Sequence, residues 1–99
     1  MENQHRKITG YRELSQEEID LINRIKAKGA EILELQAELV AHIKTRRQAC
    51  VMARVAVLDQ DELDRMDAAE PMHWASIGKT DIQTGIMALV RAVAQPSEG

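Results

Sequence analysis

The sequence predicts an all-α protein with a short N-terminal arm or helix and then two long antiparallel helices joined by a kinked middle. Two prolines, Pro71 and Pro96, bracket an otherwise uninterrupted helical pattern; proline fits the first turn of a helix and cannot continue one. Ser15 and Glu18 match a capping box, which starts a helix. Strand signals are absent, since the one β-branched cluster, at 55–58, lies inside alanine-rich helical sequence.

The chain of 99 residues predicts a single helical domain, 1–99, with an arm at 1–10 and a disordered tail at 96–99. Only Tyr11 and Trp74 are aromatic, so the core must be aliphatic. A small aliphatic core leaves such a domain marginally stable, and self-association would add burial. We therefore expect an oligomer.

Charge and cysteine content limit the partners and the cellular compartment that can be expected of this protein. The net charge is −3, and residues 59–70 hold six acidic side chains and one basic side chain. This balance argues against non-specific binding of duplex nucleic acid, which needs many phosphate contacts. Cys50 is the single cysteine and no signal peptide or long apolar run is visible, so we expect a cytoplasmic protein without a membrane partner.

The first long helix is predicted to begin at Ser15, with Leu14 and Ile19 as a hydrophobic staple. Its apolar stripe alternates spacings of three and four, as in a coiled-coil seam, and comprises Ile22, Ile25, Gly29, Ile32, Gln36, Leu39 and Ile43, broadened by Leu21, Leu33, Leu35 and Val40. Basic residues at 44–47 are expected to complement the negative end of the helix dipole. Neither glycine nor proline separates Lys44 from Ala69, so the chain could stay helical through 51–58 with a bend. We place a turn near Asp59, because the acidic residues there can cap a new helix.

The last helix carries a second stripe at helical spacing, which we interpret as its core-facing side: Ala75, Gly78, Ile82, Gly85, Ile86, Leu89 and Val93. Gly78 and Gly85 each cost about 1 kcal/mol against alanine inside a helix. Close approach of another backbone or of a ligand would compensate. Of these two, the approach of another backbone, which means tight helix packing, is the simpler interpretation.

The sequence contains no complete motif for catalysis or metal binding. Gly78, Lys79 and Thr80 match the end of a phosphate-binding P-loop, but His73 stands where the earlier glycine is needed and no strand precedes it. The three histidines lack metal-site spacing, and Cys50 is expected to pack as a small hydrophobe. The sequence therefore predicts a protein that is not an enzyme and has no cofactor or metal.

Tyr11 stands near several basic residues, Arg12, Arg24, Lys26 and Lys28. A tyrosine ring can stack on a nucleobase, and basic groups pair with phosphate. An ordinary solvated basic face, with the tyrosine packed at the helix start, is the simpler interpretation of the same residues.

Two segments, GYRELSQEEIDLINRIKAKGAE at 10–31 and HWASIGKTDIQTGIMALVRAVAQP at 73–96, resemble the two blocks of the small phage anti-CBASS sponge proteins. These proteins sequester the cyclic oligonucleotide messengers of the bacterial CBASS defence, and anti-Thoeris sponges have a similar core. The resemblance implies an all-helical protomer that forms a homohexamer in the host cytoplasm and binds ligands between subunits without hydrolysing them.

The resemblance also implies site residues. In the cyclic dinucleotide pocket, Tyr11 matches the tyrosine that stacks on a base and Lys26 the lysine that pairs with phosphate. In a second pocket, for cyclic trinucleotides, Gly78 and Thr80 match, whereas Ser76 replaces an expected arginine, a departure that weakens the case for this pocket. The implied function is sequestration of messengers such as 3′,3′-cGAMP; the alternative is a helical oligomeric interaction or structural module with no nucleotide ligand.

Overall fold

A computed structural model describes residues 12–52 and 57–96. Within these residues three helices follow one another: α1 (Gln16–Met52), α2 (Val57–Ala69) and α3 (Pro71–Ala94). The all-α prediction, with two long helices and an interrupted middle, is confirmed. The described residues fall into two compact units: a terminal unit, residues 12–31 and 82–96, and a central unit, Ile32–Asp81. The predicted arm at 1–10 and most of the predicted tail lie outside the described residues.

The capping box at the start of α1 is confirmed in both directions. The amide of Glu18 donates to the hydroxyl of Ser15 at 3.1 Å, and the amide of Ser15 donates to Oε1 of Glu18 at 2.9 Å. Two amides that have no partner within the helix are thereby satisfied. Leu14 and Ile19, the predicted staple pair, are both half-buried.

The prediction of a turn near Asp59 is wrong, because Asp59 lies inside α2. α1 also extends to Met52 and has no basic residue in its last turn, so Arg46 and Arg47 do not close it. They form ion pairs with α2 instead, Arg46 with Glu62 and Arg47 with Asp67, both at 3.1 Å. Glu62 and Asp67 of the acidic segment therefore face the basic residues of α1.

The junction of α2 and α3 is a single residue, Glu70, with a φ of 52°. Its amide donates to the carbonyl of Met66 at 3.1 Å, and its carbonyl accepts from the amide of Trp74 at 3.2 Å. Glu70 thus ends one helix and starts the next. Pro71 explains the break, since it has no amide hydrogen and disfavours the right-handed helical conformation in the residue before it.

The core of the terminal unit lies where Gly29 of α1 meets Ile86 of α3; Gly29 is buried and Ile86 half-buried. The half-buried row of α3 here comprises Ile82, Ile86, Val90, Val93 and Ala94. Gly85 and Leu89, which were predicted to face the core, are exposed, with Leu89 56% accessible. The neighbouring Val90 and Ala94 take the place of Leu89 on the covered side.

The central unit buries Cys50, Met66 and Ala75, each from a different helix. The side chain of Gln36 donates to the carbonyl of Ala75 at 3.0 Å, which satisfies a polar group on the packed side of α1. The prediction that Cys50 packs as a small hydrophobe is confirmed.

Part of the predicted α1 stripe is exposed. Ile32 and Leu39 are 47% and 48% accessible, whereas Leu33 and Val40, each one residue later, are half-buried. On the surface of α1, apolar residues lie on both sides of the row that contains Gly29 and Gln36. The more buried of these two sides is the one that bears Leu33 and Val40.

Candidate functional site

A groove of about 290 Å³ lies on the terminal unit, between the first half of α1 and the end of α3. Lys26 contributes its α1 wall. The remaining lining comes from the last turns of α3 and from a proline two positions beyond its end: Ile86, Met87, Val90, Arg91, Ala94 and Pro96. The groove is therefore lined by apolar side chains together with two basic ones, Lys26 and Arg91.

Lys26 is exposed, and among the described residues it has no carboxylate partner. Lys28, two positions along α1, is also exposed, but its ammonium lies 3.8 Å from Glu31. A lysine ammonium with three donors, next to apolar side chains, can pair with a phosphate while a flat group covers the apolar surface. The predicted role of Lys26 is compatible with this placement.

The guanidinium of Arg12 joins the start of α1 to the end of α3. Its Nε donates to the carbonyl of Ala94 at 3.0 Å and its Nη2 to the carbonyl of Val93 at 2.8 Å. The same Nη2 lies 2.6 Å from Oε2 of Glu18. The hydrogen bond from Arg12, followed by the backbone hydrogen bond from Ser15, lowers the pKa of Glu18 to about 2.

Arg12 is therefore engaged within the chain rather than lying on a solvated basic face, as the simpler sequence interpretation had it. Sequence reasoning missed this role because the partners of Arg12 are 81 and 82 positions away along the chain. The available signal was only general: a basic side chain is favoured where carbonyls at a helix C-terminus lack partners.

The second predicted dinucleotide residue, Tyr11, lies outside the described residues. Arg24, the remaining basic residue of that sequence cluster, is exposed on α1. Of the two residues predicted for the dinucleotide pocket, the structure thus describes Lys26 and not Tyr11.

The predicted trinucleotide residues, Ser76, Gly78 and Thr80, lie on the first half of α3, in the central unit. Ser76 and Thr80 are exposed and one turn apart, so they share a face, whereas Gly78 lies roughly 160° around the helix from each. Apart from the adjoining residues and the nearby backbone of α3 itself, no described atom comes within 4 Å of the position that a Cβ would take at Gly78 or Gly85. Tight packing among the described residues therefore does not explain these two glycines, contrary to the simpler interpretation.

A second cavity, of about 390 Å³, lies on the central unit where α1, α2 and α3 meet. Its lining includes the ion pair between Arg47 and Asp67, the methionines Met66 and Met72, and His73. The positive charge of Arg47 is already matched there by a carboxylate. Among the described residues, no group of three potential metal-ligating side chains comes together.

Comparison with known proteins places this helical arrangement in a family. The family model for the Acb2/Tad1 hairpin domain matches residues 3–94. The chain belongs to the Acb2/Tad1 hairpin family. A curated relative, "Anti-CBASS protein 2" of Pseudomonas phage JBD67, is 55% identical over an alignment of 105 positions, and the alignment covers 97% of each chain.

The family assignment confirms the resemblance on which the site residues were predicted. It spans both helical blocks, since the matched residues run from the start of the chain to the last turn of α3. In the described part of this member of the Acb2/Tad1 hairpin family, no helix is both long and apolar enough to traverse a bilayer.

Proposed function

We propose that this protein is a phage anti-CBASS factor that binds cyclic dinucleotide messengers, such as 3′,3′-cGAMP, and sequesters them without hydrolysis. The observation that carries the proposal is the groove of the terminal unit, where Lys26 lies beside apolar side chains of α3. Membership of the Acb2/Tad1 hairpin family and the name of the relative supply its biological context.

The chemistry of the groove suits a cyclic dinucleotide. The ligand carries two phosphodiester charges and two bases, so it needs a cation and a flat apolar or aromatic surface. Lys26 supplies the cation, and Met87 and Val90 supply apolar surface. Tyr11 supplies a ring for base stacking, a contact worth about 1–3 kcal/mol per base.

Sequestration needs affinity and abundance rather than turnover. Binding lowers the free messenger concentration by mass action, and a protein in excess over its ligand leaves too little to activate a CBASS effector. Hydrolysis would need a metal or an acid and base near the phosphodiester, whereas the groove contributes a lysine, an arginine and apolar side chains.

The ligand is held between subunits of a homo-oligomer, for which the resemblance implies a hexamer. Support comes from the large apolar side chains that the described residues leave exposed, among them Leu35 at 61%, Met87 at 71% and Leu89 at 56%. A groove open on one side of a single chain gains a second wall when another subunit covers Met87, which lines it.

Capture and release of 3′,3′-cGAMP tests the proposal. The nucleotide is incubated with protein, passed through a filter that retains the protein, and recovered after heat and proteolysis. Recovery of intact nucleotide from the retained fraction supports sequestration. Linear product indicates an enzyme, and nucleotide that passes the filter from the outset contradicts binding.

Lys26→Ala and Lys28→Ala form a matched pair for this assay, since each removes one exposed lysine from α1. Loss of a charge-assisted hydrogen bond of about 1.5–3 kcal/mol predicts at least tenfold weaker binding for Lys26→Ala. Lys28→Ala should bind like the parent. Equal affinities of the two variants would contradict the role of Lys26 in the groove.

Binding of cyclic trinucleotides is a separate proposal, attached to Ser76, Gly78 and Thr80. Ser76 is exposed on α3, so an arginine there has room to extend. Ser76→Arg is expected to create or strengthen trinucleotide binding and to leave 3′,3′-cGAMP binding nearly unchanged. Calorimetry with both nucleotides measures this, and an unchanged trinucleotide affinity would contradict the assignment of that pocket.

The second candidate function is a helical oligomeric interaction or structural module without a nucleotide ligand. The exposed row of Ile32, Leu35 and Leu39 on α1 favours it, since such a row can serve assembly alone. Oligomer formation together with complete passage of the nucleotide through the filter would establish this module and exclude the sponge.

A further inference from the structure

The groove on the terminal unit carries two basic side chains from different helices. Lys26 belongs to α1 and Arg91 to the last turn of α3, and both are exposed. The lining that the structure describes includes no aspartate or glutamate, although the chain as a whole has a net charge of −3. Because a cleft lined by one sign of charge concentrates ions of the other sign, this groove favours an anion.

The cavity on the central unit has a different balance of charge. Its lining also contains an arginine, Arg47, but together with two acidic residues, Asp67 and Glu70. The guanidinium of Arg47 lies 3.1 Å from the carboxylate of Asp67. The groove on the terminal unit therefore differs from this cavity in having positive charge that its own lining does not balance.

Capping of α3 does not account for Arg91. A basic residue in the last turn of a helix often donates to the last carbonyls, which have no partner within the helix. Here Arg12 donates to the carbonyls of Val93 and Ala94 at 2.8 and 3.0 Å. The amide of Gln95 donates to the carbonyl of Arg91 at 2.7 Å. The guanidinium of Arg91 is therefore not needed to satisfy these carbonyls.

We propose that Arg91 is a second phosphate-binding residue of the groove, contributing with Lys26 to the binding of a ligand that carries two phosphodiester charges. This inference rests on the proposed binding of cyclic dinucleotides. The planar guanidinium can donate to two oxygens of one phosphate, whereas a lysine ammonium acts as a point charge. An arginine has five donors, so Arg91 can bind a phosphate while it also contacts another group.

The apolar lining strengthens such a contact. Met87 and Val90 precede Arg91 on α3 and line the same groove. A base that covers them excludes water from the space beside the phosphate, and a charge-assisted hydrogen bond is stronger where water is excluded. We therefore expect the loss of Arg91 to have a measurable effect on affinity, unlike the loss of a fully solvated surface charge.

Calorimetry with 3′,3′-cGAMP on the full chain tests the inference. Arg91→Ala should weaken binding about tenfold, which is roughly 1.4 kcal/mol. Arg91→Lys should bind with an affinity between those of the parent and Arg91→Ala, because it keeps the charge and loses the planar pair of donors. Arg24→Ala is the matched control: it removes another exposed arginine of the terminal unit, one that does not line the groove, and should bind like the parent.

Ionic strength distinguishes a contact with phosphate from a structural role of Arg91. Salt screens the attraction between exposed charges, so the affinity of the parent for 3′,3′-cGAMP should fall as the salt concentration rises. The fall should be less steep for Arg91→Ala and unchanged for Arg24→Ala. Arg91→Gln, which removes the charge from a side chain of intermediate length, provides the same comparison if Arg91→Ala loses its helical circular dichroism.

Two outcomes overturn the inference alone: Arg91→Ala binds 3′,3′-cGAMP like the parent, or it loses affinity by a factor that is the same at every salt concentration. The first of these, together with weaker binding by Lys26→Ala, would leave the proposed function in place and remove the second cation. A parent protein that captures no 3′,3′-cGAMP overturns the proposed function and the inference with it.

Discussion

Ile86 occupies the space into which a side chain at Gly29 would extend. A Cβ built on Gly29 would lie 2.7 Å from Cγ1 of Ile86, closer than Cβ atoms are found in proteins. The absence of a side chain on α1 therefore lets α3 approach it in the terminal unit. Gly29 is buried as a result of this contact.

Gly29→Ala should destabilise the protein by about 1 kcal/mol. Overpacking against Ile86 costs about 1–3 kcal/mol, and the better helix propensity of alanine returns about 1 kcal/mol. Urea denaturation measures the difference. In an Ile86→Ala background the clash disappears, so the same substitution should become neutral or stabilising.

Gly85→Ala is the control for Gly29→Ala, since no described atom outside the adjoining part of α3 lies within 4 Å of its Cβ position. It should stabilise the helix by up to about 1 kcal/mol. If Gly29→Ala proved as stabilising as Gly85→Ala, the close approach of Ile86 would be contradicted.

Glu70→Gly should stabilise the protein by about 1 kcal/mol. Glu70 has a φ of 52°, a left-handed conformation that costs a non-glycine residue about 1–2 kcal/mol, and glycine is the usual residue where a helix ends this way. Its carboxylate lies at the C-terminus of α2, where the helix dipole disfavours a negative charge, and at the N-terminus of α3, where the dipole favours one. The two effects therefore oppose each other.

Ala68→Gly, inside α2, gives the opposite sign for comparison and should destabilise by about 1 kcal/mol. Urea midpoints of the two variants test the pair. A lower midpoint for Glu70→Gly would show that the carboxylate contributes more at the junction than the backbone conformation costs.

Local signals made most of the fold predictable from the sequence. Ser15 and Glu18 form their capping box within one helical turn, and Pro71 is the first residue of α3. The sequence could not place the end of α1, because neither glycine nor proline marks it, and the acidic residues at Asp59 suggested a cap where α2 had already begun. Burial was partly misjudged because α1 is apolar on both sides of Gly29.

Of the candidate site, the family resemblance predicted Lys26, which lies at the groove. The role of Arg12 depends on Val93 and Ala94, which are adjacent only after α1 and α3 pack together. No local pattern carries that information.

Stability should fall as the pH drops from about 4.5 towards 2. Arg12 and then the amide of Ser15 lower the pKa of Glu18 from 4.5 to about 2. Arg65 first, with a smaller contribution from Arg46, lowers the pKa of Glu62 from 4.5 to about 2. A carboxylate with a depressed folded-state pKa stabilises the protein above its unfolded-state pKa, and this contribution is lost as pH falls through the folded-state value.

Urea midpoints measured from pH 7 to pH 2 check this expectation. Glu18→Gln and Glu62→Gln should each make the profile shallower, and high salt should do the same to the exposed pair of Glu62 and Arg65. A profile of unchanged steepness in both variants would contradict the ion pairs.

Leu35→Glu should dissociate the oligomer that we propose. Leu35 is 61% exposed and lies in a row with Ile32 and Leu39, so a charge there has little effect on the fold of one chain and a large one on an apolar interface. Ala37→Glu adds the same charge at an exposed position about half a turn away and should leave assembly intact. Light scattering should give a mass of several chains for the parent and Ala37→Glu, and a smaller mass for Leu35→Glu with unchanged helical circular dichroism. A parent with the mass of one chain at micromolar concentration would remove the second wall of the groove, and the proposal of a site between subunits would fall with it.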